Sequence, residues 1–188
     1  MVSKDAAAPR FRTLDLTYIA LFAVLMAVCA WISIPVPKPM VPFSMQTFAV
    51  FAALTVLGGK RGTWAVAAYL LLGAVGAPVF AGFRGGPSVL LGSTGGYLLG
   101  FIGTALVYWL LERLWGAALP LKVLACLLGM VVYYAFGTAW FLVVYARTTG
   151  PIGLSGALAA CVVPFVIPDL VKAGLALLLS RRVQKYLK

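Results

Sequence analysis

Leu16-Thr17-Tyr18-Ile19-Ala20-Leu21-Phe22-Ala23-Val24-Leu25-Met26-Ala27-Val28-Cys29-Ala30-Trp31-Ile32-Ser33-Ile34 contains no charged side chain and no proline. A helix needs about 20 mostly apolar residues to cross the hydrocarbon core of a bilayer. This run is long enough, and it exceeds the roughly 7–15-residue apolar core of a secretory leader. Lys4, Arg10 and Arg12 precede it, and Ala27-Val28-Cys29 loosely imitates a cleavage site. Small residues recur all along the chain, however, so the run reads as a retained first membrane helix.

The same character extends outward from it. The 188 residues are 63% hydrophobic and 10% charged, with mean hydropathy +1.05. Soluble domains average about 45–50% apolar and about 25% charged, so this chain lacks the polar surface to coat a core in water. Reading between charges and Pro/Gly clusters gives six spans, approximately 14–34, 41–57, 63–79, 94–114, 121–146 and 154–180. The expected fold is therefore all-α, a single polytopic membrane domain over residues 1–188. Ile34-Pro35-Val36-Pro37-Lys38-Pro39-Met40-Val41-Pro42 alternates proline, which forbids helix and favours an extended, polyproline-like link. Phe80 to Gly96 is glycine-rich, a composition that suits close backbone approach to a ligand and a plain surface turn equally well.

Lysine and arginine set the orientation. With six helices and the N-terminus inside, Lys4, Arg10, Arg12, Lys60, Arg61, Arg113, Lys122, Arg181, Arg182, Lys185 and Lys188 are cytoplasmic. Only Lys38, Arg84 and Arg147 are external, and Lys172 alone falls within a span. Both termini are thus expected in the cytoplasm. The net charge of +11 is spread in small groups between apolar runs, as topology signals are, so it does not point to a nucleic-acid partner.

Much chemistry is excluded. There is no histidine, which removes most acid/base and many metal designs. Cys29, Cys126 and Cys161 are scattered within apolar runs and form no CxxC pair. Gly153-Leu154-Ser155-Gly156 has no histidine to pair with its serine, and Gly58-Gly59-Lys60-Arg61-Gly62-Thr63 lacks P-loop spacing. No enzyme, metal site or cofactor is legible.

Polar residues at membrane depth carry the functional signal. Asp169 and Lys172 lie inside the last span, in Val163-Pro164-Phe165-Val166-Ile167-Pro168-Asp169-Leu170-Val171-Lys172. Each costs about 2.5–3.5 kcal/mol at mid-helix, and such residues normally face a cavity or a partner. Their i, i+3 spacing puts them on one helix face, so a purely structural ion pair is the competing reading. Pro164 and Pro168 bracket a point where the helix is expected to break and free backbone groups toward a cavity. Gln46 needs a partner in lipid. Tyr97, Tyr133, Tyr134, Trp140 and Tyr145 are weaker signals, read first as interface belt or packing. Ala23 and Ala27 form a small-xxx-small pair where another helix can approach.

The chain also resembles a known family. Val41-Pro42-Phe43-Ser44-Met45-Gln46-Thr47-Phe48, the stretch Gly73-Ala74-Val75-Gly76-Ala77-Pro78-Val79-Phe80-Ala81-Gly82, Gly95-Gly96-Tyr97-Leu98-Leu99-Gly100-Phe101 and the terminal Pro168-Asp169-Leu170-Val171-Lys172 are similar to segments of the BioY family. These are the biotin-specific substrate-binding (S) components of energy-coupling-factor (ECF) transporters. Ser93 departs from the resemblance, standing where a Gly-Pro-Thr-Gly-Gly proline is expected. The resemblance implies a multi-pass protein of a prokaryotic plasma membrane. It would capture biotin from outside and work with a transmembrane coupling protein and two cytoplasmic ATPases. It also implies a pocket of Asp169, Gln46, Lys172, Arg84, Tyr97, Phe80 and Gly82, with Ala23 and Ala27 docking the coupling protein. Asp169 and Gln46 suit the ureido ring, and Lys172 or Arg84 the carboxylate. An S-component or secondary transporter for another small vitamin, and a membrane scaffold without a ligand, are the alternatives.

Overall fold

The computed structural model describes residues 12–36, 41–183 and 185. Lys4, Asp5, Arg10, Lys38 and Lys188, and residues 37–40 of the proline-rich link, lie outside them. The described chain forms α1 (Thr13–Trp31), α2 (Gln46–Leu57), α3 (Gly59–Ala74), α4 (Pro87–Leu90), α5 (Gly95–Trp115), α6 (Leu119–Thr148), α7 (Leu154–Cys161) and α8 (Val163–Val183). Between α1 and α2, β1 (Ser33–Ile34) pairs antiparallel with β2 (Phe43–Ser44), Ser33 opposite Ser44 and Ile34 opposite Phe43. The expected polyproline-like link is thus flanked by a short β pair.

Among the described residues, Thr13–Trp31, Gly95–Trp115, Leu119–Thr148 and Leu154–Val183 are long and apolar enough to cross a membrane. Their outward faces carry exposed Leu21, Val24, Leu110, Val131, Ile167 and Leu178, a surface suited to hydrocarbon rather than water. The expected spans 41–57 and 63–79 are shorter as helices, with 12 residues in α2 and 16 in α3. At about 1.5 Å rise per residue, neither reaches the roughly 30 Å of a hydrocarbon core.

Why α2 is short and central follows from its composition. Gln-Thr-Phe-Ala-Val-Phe-Ala-Ala-Leu-Thr-Val-Leu is apolar on every side, and each residue from Ala49 to Leu57 is buried. A helix without a polar face belongs in the interior, and α1, α3, α5 and α8 surround this one. Gly58, at φ 82°, ends it in a conformation that side chains avoid. Gly59 then starts α3 against the backbone of Trp109 in α5, where a Cβ would clash.

At this end of the bundle polar side chains close the helix termini. Asp15 accepts from the Arg12 N–H at 3.0 Å and pairs with Arg61 at 2.8 Å, joining α1 to α3. The Thr55 carbonyl, in the last turn of α2, accepts from Lys122 Nζ at 3.1 Å and Ser180 Oγ at 2.6 Å. A carbonyl left over at a helix end is satisfied by such donors. Tyr108 is the exception, since its buried hydroxyl has no hydrogen-bond partner among the described residues. A buried unsatisfied group costs about 1–3 kcal/mol. Tyr108→Phe should therefore leave the melting temperature of the purified protein unchanged or raise it, and a clear drop would mean that the hydroxyl is satisfied.

Two sequence expectations are corrected here. Ala23 and Ala27 do not form an outward docking groove. They are 2% and 5% exposed within the chain itself, because the small residues of α1 admit its own neighbours, α2 and α3. The break in the last span falls at Val162, between α7 and α8, not between the two prolines. Pro164 then sits in the first turn of α8, where a missing N–H is harmless, and Pro168 lies inside the helix.

Candidate functional site

At the opposite end from the Asp15–Arg61 pair, a cavity opens between the β pair, the 80–84 turn and helices α2, α5, α6 and α8. It is narrow and open at its mouth, with a cavity volume of about 80 Å³. Asp169, Lys172, Gln46, Arg84, Tyr97 and Phe80 all line it. Gly82 lines a wider cleft next door, which shares Pro42, Ala81, Arg84, Val89 and Thr94 with the cavity.

Asp169 and Lys172 are 3% and 4% exposed and pair at 2.8 Å. Their surroundings are more elaborate than an isolated ion pair. Asp169 Oδ1 accepts from Lys172 Nζ at 2.8 Å and from Thr47 Oγ1 at 2.9 Å. Its Oδ2 accepts from the hydroxyls of Tyr133 and, at 2.8 Å, Tyr134. Helices α2, α6 and α8 thus converge on one carboxylate. Such satisfaction is what allows a charge to remain buried.

Lys172 is equally committed. Besides Asp169, its Nζ donates to the Ser44 carbonyl at 2.7 Å and stands 4.2 Å from the centroid of the Phe43 ring. The ammonium therefore ties β2 to α8. Arg84 differs, since it is exposed, its Nε donates to the Ala81 carbonyl at 3.2 Å, and its guanidinium has no other hydrogen-bond partner among the described residues. Of the two candidate cations lining the cavity, Arg84 has spare donors.

Gln46 is held in a relay. Its Nε2 donates to the Tyr69 hydroxyl, which donates to the Val79 carbonyl at 3.0 Å, and its Oε1 accepts from Ser44 Oγ at 3.3 Å. An amide has two donors and two acceptor lone pairs, so one N–H and one lone pair remain for a ligand. Phe80 is buried edge-on against Tyr69, ring centroids 5.6 Å apart. The glycine-rich turn is fastened by Trp31, whose Nε1 donates to the Pro78 carbonyl at 2.8 Å and whose ring stacks on Phe83 at 5.0 Å.

Tyr97 is positioned by a seam of glycines between α5 and α6. A Cβ on Gly137 would meet the Tyr97 ring, one on Gly100 the Tyr133 backbone, one on Gly96 the Trp140 side chain and one on Gly129 Thr104. Large residues of each helix lie over glycines of the other in antiparallel order. Tyr97 thereby reaches Thr138, hydroxyl to hydroxyl at 3.0 Å. Trp140 and Tyr145 are packing residues, as read, with Trp140 Nε1 donating to the Gly92 carbonyl at 3.0 Å and Tyr145 stacked on Phe141 at 5.0 Å. Tyr133 and Tyr134 are not merely packing. Their adjacency to each other was visible in the sequence, but their shared acceptor lies on another helix.

Comparison with known proteins comes to the same place. The model of the BioY family matches residues 3–188. The biotin transporter BioY of Thermotoga maritima is 45% identical over 166 residues, 88% of this chain and 92% of that protein. The probable biotin transporter BioY of Pyrococcus horikoshii is 36% identical over 170 residues, 90% of this chain and 96% of that one. Among solved structures, the S-component for biotin from an ECF-type ABC transporter superposes with TM-score 0.80 at 27% identity, covering 94% of this chain and 95% of that one.

Proposed function

This chain belongs to the BioY family, and from that premise we propose that it is the biotin-binding S-component of an ECF-type importer. The observation that carries the reading is the buried, hydrogen-bonded Asp169 facing a cavity lined mainly by apolar and aromatic side chains, with Arg84 also on its lining. Biotin is mostly apolar, with a ureido ring at one end and a carboxylate at the other. A ring N–H bonds Asp169, and the amide of Gln46 serves the ring carbonyl. The carboxylate pairs with Arg84, because the charge of Lys172 is already paired with Asp169 and two of its three N–H groups are held by Asp169 and Ser44.

The reading extends to topology and partners. One membrane domain over residues 1–188 would pass the prokaryotic plasma membrane six times, through α1, α2, α3, α5, α6 and the α7–α8 pair, with the non-helical residues 41–45 before α2 and 75–79 after α3 completing the two short passes and both termini in the cytoplasm. Lys60, Arg61, Arg113 and Lys122 then fall at the cytoplasmic end and Arg84 at the external one, as positive residues should. Biotin enters from outside, and a coupling protein with two cytoplasmic ATPases supplies the energy. The family is one of transporters, so the chain performs no covalent chemistry on its ligand.

Thermal unfolding of the purified protein tests this. Biotin should raise the melting temperature with concentration, as a ligand of the native state does, while riboflavin and thiamine should not. Biotin amide should bind about tenfold or more weakly, since a charge-assisted bond contributes about 1.5–3 kcal/mol. Arg84→Gln should erase that preference for the acid. Equal binding of acid and amide by the wild type would overturn the role of Arg84, and a shift with another vitamin alone would overturn the substrate.

A further inference from the structure

The carboxylate of Asp169 has about four acceptor positions, and the protein fills them all. Thr47 and Lys172 occupy Oδ1, and Tyr133 and Tyr134 occupy Oδ2. A ligand N–H can bond Asp169 only by displacing a donor already there. We propose that Tyr134 is that donor: its hydroxyl holds the place of the ligand N–H in the empty cavity and gives way when ligand binds, while Tyr133 is a positioning residue that stays. The inference rests on the biotin reading above, but it concerns a residue which that reading leaves without a role.

The choice among the four follows from what restrains each. Lys172 is the counter-ion and also holds the Ser44 carbonyl. Tyr133 is 2% exposed, lies edge-on to Phe101 at 5.7 Å and has its backbone against Gly100. Thr47 carries its hydroxyl on a β-branched side chain, stiff at χ1, and must jump a whole rotamer to retreat. Tyr134 is only partly buried and lines the cavity. Its hydroxyl is at the end of a long lever, where a small χ1 rotation moves it out of bonding distance. Its ring packs against that of Tyr133, centroids 4.4 Å apart, so the two hydroxyls reach Oδ2 side by side and that contact is what Tyr134 slides along.

The arrangement has a purpose in transport. Without Tyr134 one acceptor position of a buried carboxylate would be unfilled, which is costly, and Tyr134 fills it until ligand arrives. Binding then exchanges one hydrogen bond for another instead of adding one, which limits affinity and leaves the ligand releasable.

Titration of Tyr134→Phe and Tyr133→Phe with biotin, and with an analogue methylated at the ureido nitrogens, tests the exchange. Tyr134→Phe should bind biotin about 3- to 10-fold more tightly, the size of one ordinary hydrogen bond. It should gain nothing toward the analogue, which has no N–H to offer. Tyr133→Phe should bind biotin more weakly. A 3-fluorotyrosine at position 134 should also show a ligand-dependent fluorine shift that the same probe at 133 lacks. Weaker biotin binding by Tyr134→Phe, or the same gain for the analogue, would overturn the proposal with the functional reading intact. A wild type that does not bind biotin at all would remove that reading, and this inference with it.

Discussion

Asp169→Asn should lower biotin affinity by about tenfold to a hundredfold and also destabilise the protein itself. Asparagine offers one acceptor oxygen in place of two and turns an N–H₂ group toward the other side. If that side holds Lys172, its ammonium has no lone pair to accept with; if it holds the two tyrosines, their hydroxyls can accept only by giving up their own donation. Lys172, 4% exposed, would also lose its counter-charge. Removing one partner of a buried ion pair costs about 3–5 kcal/mol, because the other charge is left uncompensated. The binding loss adds the charge-assisted bond to the ureido ring, about 1.5–3 kcal/mol. The two effects separate with Asp169→Asn combined with Lys172→Met. The double variant should recover stability in thermal unfolding while biotin binding, measured by titration, stays lost. If the single variant loses stability yet binds at wild-type affinity, the pair is structural and the ligand lies elsewhere.

That pair was the most legible feature of the sequence, for a physical reason. Two charges within an apolar span are expensive wherever they point, so their presence alone implies a partner. The tyrosines were less legible. Tyr133 and Tyr134 are 36 and 35 positions from Asp169, and an aromatic residue is no burden in a membrane helix. Only the crossing of α6 and α8 gives their hydroxyls a task. Ala23 and Ala27 show a different limit, since a small-xxx-small pair announces close approach without saying by which helix. Here α2 and α3 of the same chain provide it.

The helix count was limited in the same way. Hydropathy finds apolar residues but not the end of a helix, and α2 and α3 are separated only by the turn at Gly58. Apolar character across residues 41–57 was read as one span, although the β pair claims Phe43 and Ser44. The prolines were over-read too. A proline marks where a helix is weak, but Pro164 falls where its missing N–H costs nothing.

The sequence reading singled out only the glycines of Phe80 to Gly96, whereas those within α5 and α6 have a packing task at the cavity wall. Gly137→Ala should therefore impair binding although residue 137 carries no polar group. A Cβ at that position would lie 2.5 Å from Cγ of Tyr97. Cγ is the fixed root of the ring, so the ring cannot yield by a small tilt of its tip. Tyr97 would have to leave the seam, break its bond to Thr138 and turn into the cavity that it lines. Overpacking of a tight contact costs about 1–3 kcal/mol, so the melting temperature should fall. Biotin affinity should drop about tenfold or more, since a ring occupying the cavity must be expelled before ligand enters. Gly103→Ala, on the same seam, is the control. Its Cβ would meet only the Cγ1 methyl of Val132 at 2.9 Å, away from the cavity wall. That variant should lose some stability and keep its affinity. Equal affinity losses in the two variants, tracking stability alone, would mean that Gly137 supports the bundle generally and does not shape the ligand site.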